Sequence, residues 1–410
     1  MMRKRFLTIR RHLLFLFILT SILLLLIIST GYSKEVRGVT EDTIKIGIMV
    51  TLTGPAADEA RWLYEAEKNF YRNINDTGGI HGRKIKWIVE DDRYQVPSAI
   101  AAFKKLVFKD KVLYLQGPTG SSLVVALMTK AEKNKIPMIS VTVGEKIIKP
   151  FKRYNFTLTS LYQDHSAVVF DYLMKDLKLK NPRIGFVYPD NEYGKRALYA
   201  ARDNAKRYGM KLVDEEVLNV VDIDATTVIL GLKRAKVDWV ISQGYNLTTS
   251  LFFKDSKKFG FFPNYVGLYA ACNEDAIKML RGTKIHYYAN HCYSSWYENV
   301  PGIVRMREIT LGYHPKADKL YRNKRLYSVG WFLSCIFAEG LKRAGRNLNG
   351  ETLVDAFETF REMDFGGISG PITYTSKSHK ANSYSKMYKA DVNQEVFVPL
   401  TGWRKPMEKD

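Results

Sequence analysis

The sequence is poor in the residues that build disulfide scaffolds and metal centres. It has three cysteines, Cys272, Cys292 and Cys335, and seven histidines in 410 residues. Neither a Cys-x-x-Cys pair nor a His-x-x-x-His pair occurs. Three scattered cysteines exclude a disulfide framework, and the missing pairs argue against a structural zinc site. The sequence therefore predicts neither a metal nor a cofactor.

The N-terminal segment combines basic residues with an apolar run that is short for a membrane span. Five Lys and Arg residues precede the stretch from Leu13 to Ile28, which only Thr20 and Ser21 interrupt. As a helix this stretch is about 24 Å long, less than a hydrocarbon core of about 30 Å. Residues 1–33 are therefore predicted to be a secretory signal peptide, which places the body of the protein in the periplasm. The alternative is an uncleaved anchor that holds the body at the outer face of the cytoplasmic membrane.

Acidic residues are in the minority, with 42 Asp and Glu against 63 Lys and Arg. Loss of the predicted leader removes five positive charges and lowers the net charge from +21 to +16. The remaining Lys and Arg are scattered along the chain in pairs, without the clustering that nucleic-acid binding requires. We therefore expect no nucleic-acid partner. An apolar content of 46% is that of a folded globular chain.

Short apolar runs alternate with longer amphipathic ones along the body, which predicts repeated βαβ units in two consecutive series. The first series is predicted to run from the strand at 44–50 to the strand at 138–141, and includes a helix at 121–134. An irregular segment is expected around residues 151–164, and the second series follows from residue 183. Single hydrophobic cores stop growing near about 250 to 300 residues, so two Rossmann-like α/β lobes are expected.

Open α/β sheets bind ligands beyond the carboxyl ends of their strands, so the loops that follow strands are the candidate site. In the first series one such loop, residues 117–122, ends in Ser121 and Ser122. Either serine is expected to cap the following helix and leave amides free for a carboxylate. The next exit presents two hydroxyls on one side, from Ser140 and Thr142.

The corresponding exits of the second series carry aromatic side chains. Tyr193 and Tyr245 follow two of the predicted strands, and a third exit contributes Tyr269 and Cys272. Each aromatic residue alone is as consistent with a structural role as with binding. Their convergence at one edge predicts that Tyr193 and Tyr245 cover a ligand from the second lobe.

Several motifs occur in the order found in one family. The chain resembles type I periplasmic binding proteins, in particular the leucine/isoleucine/valine-binding branch of ABC transporter solute receptors. The resemblance covers about residues 43–387 and rests on these segments, in order: Ile46–Ile48, Leu52–Pro55, Ile74–Ile85, Asp91 and Asp92, Gly120–Ser122, Tyr193 and Gly194, Gly244 and Tyr245, and Gly367–Ile372.

The resemblance implies two lobes joined by a hinge that the chain crosses several times, with the ligand cleft between them. Lobe 1 is then expected at 42–158 plus about 294–372, and lobe 2 at 159–293 plus about 373–405. It also implies that Ser121, Ser140 and Thr142 hold the carboxylate of a small amino acid or related carboxylate or amide, and that Tyr193 and Tyr245 close over it. The implied partners are that small molecule and the membrane permease and ATPase subunits of an importer.

Two departures from the family pattern leave the ligand open. Where amino-acid binders commonly place an acid for the ligand ammonium, this chain has Tyr269 and Ala270. Glu274 or Asp275 are the candidates to replace it; otherwise the ligand lacks an α-ammonium. Near residue 55 the sequence Ala-Ala-Asp-Glu at 56–59 replaces the more usual run of small and hydroxyl residues, and the nearby Trp62 joins the candidate ligand-binding residues.

Two other classes of function, catalysis and signalling, compete with solute binding. Asp164 beside His165, and His291 beside Cys292, suggest acid–base or nucleophilic catalysis. The side chains of adjacent residues usually point in different directions, so these pairs are not expected to form a catalytic site. We therefore predict that the protein is not an enzyme.

A second alternative is the ligand-sensing domain of a signalling system that keeps its N-terminal anchor. In an oxidising compartment a Cys272–Cys292 disulfide is a further hypothesis.

Overall fold

The structure, a computed structural model, describes residues 36–408. The predicted signal peptide, residues 1–33, lies outside this range. Two β-sheets, each flanked by helices, make up the described chain. Within residues 36–408 no helix has both the length and the apolar character needed to cross a bilayer.

The first sheet has five parallel strands in the order β2-β1-β3-β4-β5. The strand β1 (Thr43–Val50), which lies between β2 and β3, is buried at nearly every position from Ile44 to Val50, because helices cover both faces of the sheet. The strands are β1 (Thr43–Val50), β2 (Lys84–Asp91), β3 (Leu115–Gln116), β4 (Met138–Ser140) and β5 (Asn155–Thr157).

Of the first-lobe helices, α1 (Ala57–Asp76) buries one apolar stripe, whereas α10 (Arg325–Ala344) is buried on nearly every side. In α1, Leu63, Ala66 and Phe70 recur at helical spacing and are buried. The longest neighbour, α10, carries Gly330, where a β-carbon would lie 2.1 Å from the carbonyl oxygen of Leu63, so this glycine allows the two helices to touch. The helices are α1 (Ala57–Asp76), α2 (Val96–Lys104, continued by a π-helical turn, Lys105–Lys109), α3 (Ser121–Asn134), α10 (Arg325–Ala344) and α11 (Gly350–Phe357).

The second sheet has seven strands in the order β12-β11-β10-β9-β8-β6-β7, in which β11 is antiparallel to both of its neighbours, β10 and β12. Separate hydrophobic clusters cover its two faces, one around Tyr265 and Phe253 and the other around Phe186 and Val266. Its strands are β6 (Ile184–Tyr188), β7 (Asp214–Val217), β8 (Trp239–Ser242), β9 (Asn264–Leu268), β10 (His286–His291), β11 (Lys386–Asp391) and β12 (Val396–Pro399). The second-lobe helices are α4 (Tyr162–Asp171, continued by Tyr172–Asp176), α5 (Glu192–Arg207), α6 (Thr226–Arg234) and α7 (Asn246–Lys258).

The chain passes between the two lobes three times, after β5, after β10 and before β11. The helices α8 (Pro301–Tyr313) and α9 (Ala317–Tyr321) follow the second crossing. The predicted fold class, two Rossmann-like lobes joined by a hinge with several crossings, is confirmed. The residue boundaries given for each lobe stay a prediction.

Two local predictions were wrong. The segment 151–164 is not irregular, since it contains β5 and the start of α4. The serines do not cap α3: the cap residue is Gly120, and no side chain bonds the helix end. Because the helix begins at Ser121, both serines lie inside its first turn, and the Ser121 hydroxyl pairs with the Tyr162 hydroxyl at 3.2 Å.

Candidate functional site

The carboxyl ends of the parallel strands of both sheets converge on one cavity. The first lobe contributes Tyr94 after β2, Thr119 after β3 and Thr142 after β4. The second lobe contributes Tyr193 at the start of α5, Tyr245 before α7, and Tyr269 with Ala270 after β9. The cavity thus lies where the fold class predicts a ligand.

Tyrosine rings dominate the wall of this cavity, which we call the tyrosine compartment. It has a volume of about 490 Å³, part of which opens to solvent, and the rest of its wall is formed by Ala56, Glu59, Ala60, Val141 and Leu326. The ring of Tyr193 lies 5.5 Å from that of Tyr162 and 5.3 Å from that of Tyr245, measured between centroids. The ring of Tyr162 is also 5.9 Å from that of Tyr269. Contacts of this length are those of packed aromatic rings.

The tyrosine hydroxyls are already paired with protein groups. Tyr193 donates to the carbonyl of Gly244 at 3.2 Å and accepts from the amide of Ala270 at 3.3 Å. Tyr269 donates to the carbonyl of Val141 in the other lobe. Burial raises the pKa of the Tyr193 and Tyr269 hydroxyls well above the usual range. These two hydroxyls therefore stay neutral at neutral pH.

Two of the five tyrosines have an unusual backbone. Tyr94 has φ 57° and Tyr269 has φ 49°, in the left-handed region that side chains other than glycine seldom adopt. Such a conformation costs on the order of 1 to 3 kcal/mol and concentrates at functional sites. Both rings face the same compartment from opposite lobes, which supports a binding role for this cavity.

The lobes touch across the compartment. The hydroxyls of Tyr94 and Tyr245 are 2.9 Å apart, and the amide of Asn246 donates to a carboxylate oxygen of Glu59 at 2.8 Å. The rings of Tyr193, Tyr245 and Tyr269 also belong to the same hydrophobic cluster as the first-lobe core. The structure is therefore a closed arrangement of the two lobes.

The predicted binding residues fall into two groups. Thr142, Tyr193, Tyr245 and Tyr269 all line the tyrosine compartment, and the buried Thr142 hydroxyl has no hydrogen-bond partner among the described residues. Their role in binding stays a prediction.

The remaining predicted residues lie outside the tyrosine compartment. Ser121 is buried against Tyr162, while Ser122 is exposed on α3. The Ser140 hydroxyl donates to the carbonyl of Thr142 at 2.9 Å, within its own loop. Trp62 lines a neighbouring cavity instead, and its ring packs against that of Tyr321 at 5.4 Å.

That neighbouring cavity, which we call the polar compartment, has a volume of about 300 Å³, part of which opens to solvent, and shares Glu59 and Leu326 with the tyrosine compartment. Charged and amide side chains form most of its wall: Asp58, Glu59, Asn246, Glu274, Asn323, Lys324 and Arg325. Burial raises the pKa of Glu274 to about 7. The other acid proposed for a ligand ammonium, Asp275, is instead paired with Lys324 at 2.7 Å.

Three residues that line the two compartments were not predicted from the sequence: Tyr94, Tyr162 and Arg325. Tyr94 follows two aspartates at a strand exit, a position that the exit rule would have flagged. Tyr162 lies in the segment 151–164, which was predicted to be irregular. Arg325 is a charged residue at the start of α10, one position before the apolar residues begin at Leu326, and no strand exit points to it.

The hypothesis of a Cys272–Cys292 disulfide is wrong, because all three cysteines are free in the structure. The Cys272 thiol donates to the carbonyl of Gly267 at 3.2 Å, and the Cys292 sulfur accepts from the Thr159 hydroxyl at 3.4 Å. Burial raises the pKa of Cys292 to about 11, so this thiol is unreactive at neutral pH.

Asp164 and His165, which suggested acid–base catalysis, do not bond each other but have different partners. Asp164 pairs with Lys380 at 2.7 Å, whereas the ring of His165 lies between Ser160 and Asn290 at 3.0 and 2.8 Å. Burial lowers the pKa of His165 to about 4. Within residues 36–408 no group of three or more His, Cys, Asp or Glu is arranged to hold a metal ion.

Comparisons with known proteins agree with this geometry. A family model described as periplasmic binding protein matches residues 43–395. The Leu/Ile/Val/Thr-binding protein of Salmonella typhimurium is 25% identical over 228 residues, and the Leu/Ile/Val-binding protein of Escherichia coli is 24% identical over 228. Each alignment covers 55% of this chain and 61% of the relative, so the match spans about three fifths of these relatives.

Solved structures share the fold over almost the whole chain. A fatty acid ABC transporter substrate-binding protein from Thermomonospora curvata superposes with a TM-score of 0.80 at 21% identity, covering 91% of this chain and 95% of that one. A branched chain amino acid ABC transporter from Thermus thermophilus with bound valine gives 0.81 at 19% identity, with coverages of 88% and 97%. The predicted resemblance to the Leu/Ile/Val-binding branch is confirmed, and this family binds solutes rather than catalysing reactions, in agreement with the prediction against an enzyme.

Proposed function

The chain belongs to the periplasmic binding protein family, and from this premise we propose that it is the extracytoplasmic solute-binding protein of an ABC importer. Its ligand is a small amino acid or a related carboxylate or amide. The observation that carries the proposal is the tyrosine compartment, which receives side chains from the strand ends of both lobes. The ligands named for the relatives, branched-chain amino acids and fatty acids, have an apolar body and so suit an aromatic wall.

Closure of the lobes is the proposed mechanism. A ligand that touches both lobes stabilises only the closed arrangement, so binding shifts the population from open to closed. The contacts between Tyr94 and Tyr245, and between Glu59 and Asn246, form only when the lobes meet. They are contacts that the closed state gains over an open one.

Delivery of the ligand completes the proposed role. We infer that the closed protein is recognised by a permease, which an ATPase subunit drives, at the outer face of the cytoplasmic membrane. The family and the basic, apolar N-terminal segment both support export to the periplasm.

Mass spectrometry of small molecules released from denatured, freshly purified protein tests the proposal without a guess at the ligand. Recovery of one small solute in near-stoichiometric amount is expected. Absence of any released solute, together with no calorimetric binding of amino acids or their carboxylate and amide analogues, contradicts the proposal.

The same ligand then tests the compartment. Tyr193→Ala or Tyr245→Ala is expected to weaken binding, because each variant removes a ring that closes over the ligand. Tyr199→Ala is the matched control, since Tyr199 lies on α5 with 45% of its surface exposed, outside the compartment. Equal affinity of all three variants and the wild type removes these rings from the site.

A further inference from the structure

A further cavity lies outside the cleft, and we call it the outer cavity. It has a volume of about 940 Å³, part of which opens to solvent. The helices α1, α8 and α10 and the loop 364–368 form its wall. The helix α1 meets the tyrosine compartment at Glu59 and the outer cavity from Phe70 onward, about 16 Å farther along the helix. Among the described residues none lines both the outer cavity and either compartment of the cleft.

The floor of the outer cavity is apolar and rich in aromatic rings. Helical spacing brings Trp331, Cys335 and Ala338 of α10 to one side of that helix, where they line the cavity. The ring of Trp331 packs edge to face against that of Phe70 of α1, with 5.0 Å between the centroids. Such a wall suits the apolar body of a small ligand. Its large apolar side chains are Phe70, Ile74, Ile309, Trp331, Phe365 and Ile368.

The loop 364–368 fits closely against the first turn of α8. The amide of Gly302 donates to the carbonyl of Gly366 at 2.8 Å. A β-carbon at Gly302 would lie 2.4 Å from the carbonyl oxygen of Phe365, and Gly366 has φ 71°, in the left-handed region. The two glycines therefore allow the approach that puts Phe365 in the wall, and backbone contacts hold that side of the cavity in place.

Two cations line the outer cavity without an ion pair. Arg305 of α8 and Lys342 of α10 are both exposed, and within residues 36–408 neither side chain takes part in a hydrogen bond or an ion pair. Both charges act electrostatically on the thiol of Cys335 in the cavity wall. The two cations therefore lie near the same part of the cavity.

The acidic groups of the wall have other partners. Glu339 pairs with Arg343 at 2.8 Å, and Asp364 accepts the amide hydrogen of Gly367 at 2.8 Å. Burial raises the pKa of Cys335 to about 12, so its thiol is uncharged at neutral pH. The charge left without a partner at this cavity is therefore positive, which favours an anionic group beside the apolar floor.

We propose that the outer cavity is a second ligand-binding site, which takes a small carboxylate with an apolar body. The carboxylate lies at Arg305 and Lys342, and the apolar body lies on the rings of Phe70 and Trp331. This inference goes beyond the proposed function. Because no described residue of the second sheet or of its helices lines the outer cavity, the site does not depend on closure of the lobes.

Calorimetry on the exported protein with three related compounds tests both parts of the site. Octanoate has the charge and the apolar body, butanoate has a shorter body, and octylammonium has the opposite charge. Octanoate is expected to bind at least about tenfold more tightly than butanoate, because each further methylene buries apolar surface. It is also expected to bind about 2- to 5-fold more tightly than octylammonium, since the cations are exposed and each contributes little.

Variants assign these contributions to residues. Arg305→Gln and Lys342→Gln should each weaken octanoate by about 2- to 5-fold without weakening octylammonium. Cys335→Phe, which fills the floor of the cavity, should weaken octanoate by at least about tenfold. Lys319→Gln is the control for loss of a positive charge, because Lys319 is exposed on α9 and outside the cavity. If Cys335→Phe does not fold, the two charge variants carry the comparison.

A crystal soaked with 8-bromooctanoate locates the site directly. The anomalous signal of bromine is expected beside Phe70 or Trp331. Bromine in the tyrosine compartment, or octanoate binding that Tyr193→Ala weakens and the two charge variants do not, overturns this inference and leaves the proposed function standing. An absence of octanoate binding also overturns it. A dimer that Cys335→Phe dissociates, without octanoate binding, assigns the cavity to a second copy of the chain and overturns it as well.

Discussion

Removal of a single hydroxyl, by Tyr245→Phe, isolates the contact that joins the lobes. The Tyr245 hydroxyl pairs with that of Tyr94 across the cleft at 2.9 Å and accepts from Asn191 of its own lobe at 3.1 Å. The ring itself, which is buried against that of Tyr193, is retained. The variant therefore loses one interlobe hydrogen bond and keeps the aromatic wall.

The expected size of the effect follows from the net worth of a hydrogen bond. Such a bond contributes about 0.5 to 1.5 kcal/mol, and here it forms only in the closed arrangement. Ligand affinity should therefore fall by about 2- to 13-fold. Tyr94→Phe should cause a loss of similar size, and the double variant should lose little more than either single variant, because both act on the same bond.

Isothermal titration calorimetry with the ligand released from the native protein measures these losses. Tyr199→Phe, on the exposed face of α5, is the control and should bind like the wild type. Wild-type affinity in Tyr245→Phe refutes the reasoning. Fully additive losses in the double variant also refute it, since they mean that the two hydroxyls act independently.

Three further predictions concern the body of the protein. Burial raises the pKa of Glu67 to about 8, so the folded protein holds this proton more tightly than the unfolded chain and loses stability as the pH rises from 4.5 to 8. In denaturant titrations Glu67→Gln should be more stable than the wild type near pH 9 and no more stable near pH 4; the same difference at both values contradicts this. Gly330→Ala should lower the free energy of unfolding by about 1 to 3 kcal/mol, because the added β-carbon forces α10 away from α1. Gly312→Ala is the control and should not lower it, since a β-carbon at residue 312 meets nothing within 4 Å. Equal losses of unfolding free energy in the two variants contradict the packing argument. Thiol titration of the denatured protein should find three free cysteines, and a count of one contradicts the structure.

The fold was predictable where apolar periodicity is long and regular. The helix Ser121–Asn134 has the predicted bounds, and the strand at 43–50 differs from prediction by one residue. The strand Asn155–Thr157 was not predicted, because three residues are too few to show the alternation of apolar and polar residues that is typical of a strand. Tyr162 lies in the same segment, 151–164, and therefore was not among the aromatic residues predicted to follow strands.

The candidate site was predictable only in part, for a different reason. The strand-exit rule finds Tyr193, Tyr245 and Tyr269, because their positions depend on the sheet alone. It does not show which hydroxyls lack a partner in the protein. The Ser140 hydroxyl donates within its own loop, and the Ser121 hydroxyl pairs with Tyr162 at the start of α4. Arg325 enters the site only through the packing of α10 against α1, a contact between distant parts of the chain.

The most direct test of the central claim is a crystal structure of the protein purified with its own ligand. Electron density for one small molecule is expected in the tyrosine compartment, in contact with Tyr94 or Thr142 of one lobe and with Tyr193 or Tyr245 of the other. A bound ligand that lies elsewhere, or that touches a single lobe, contradicts closure as the basis of binding.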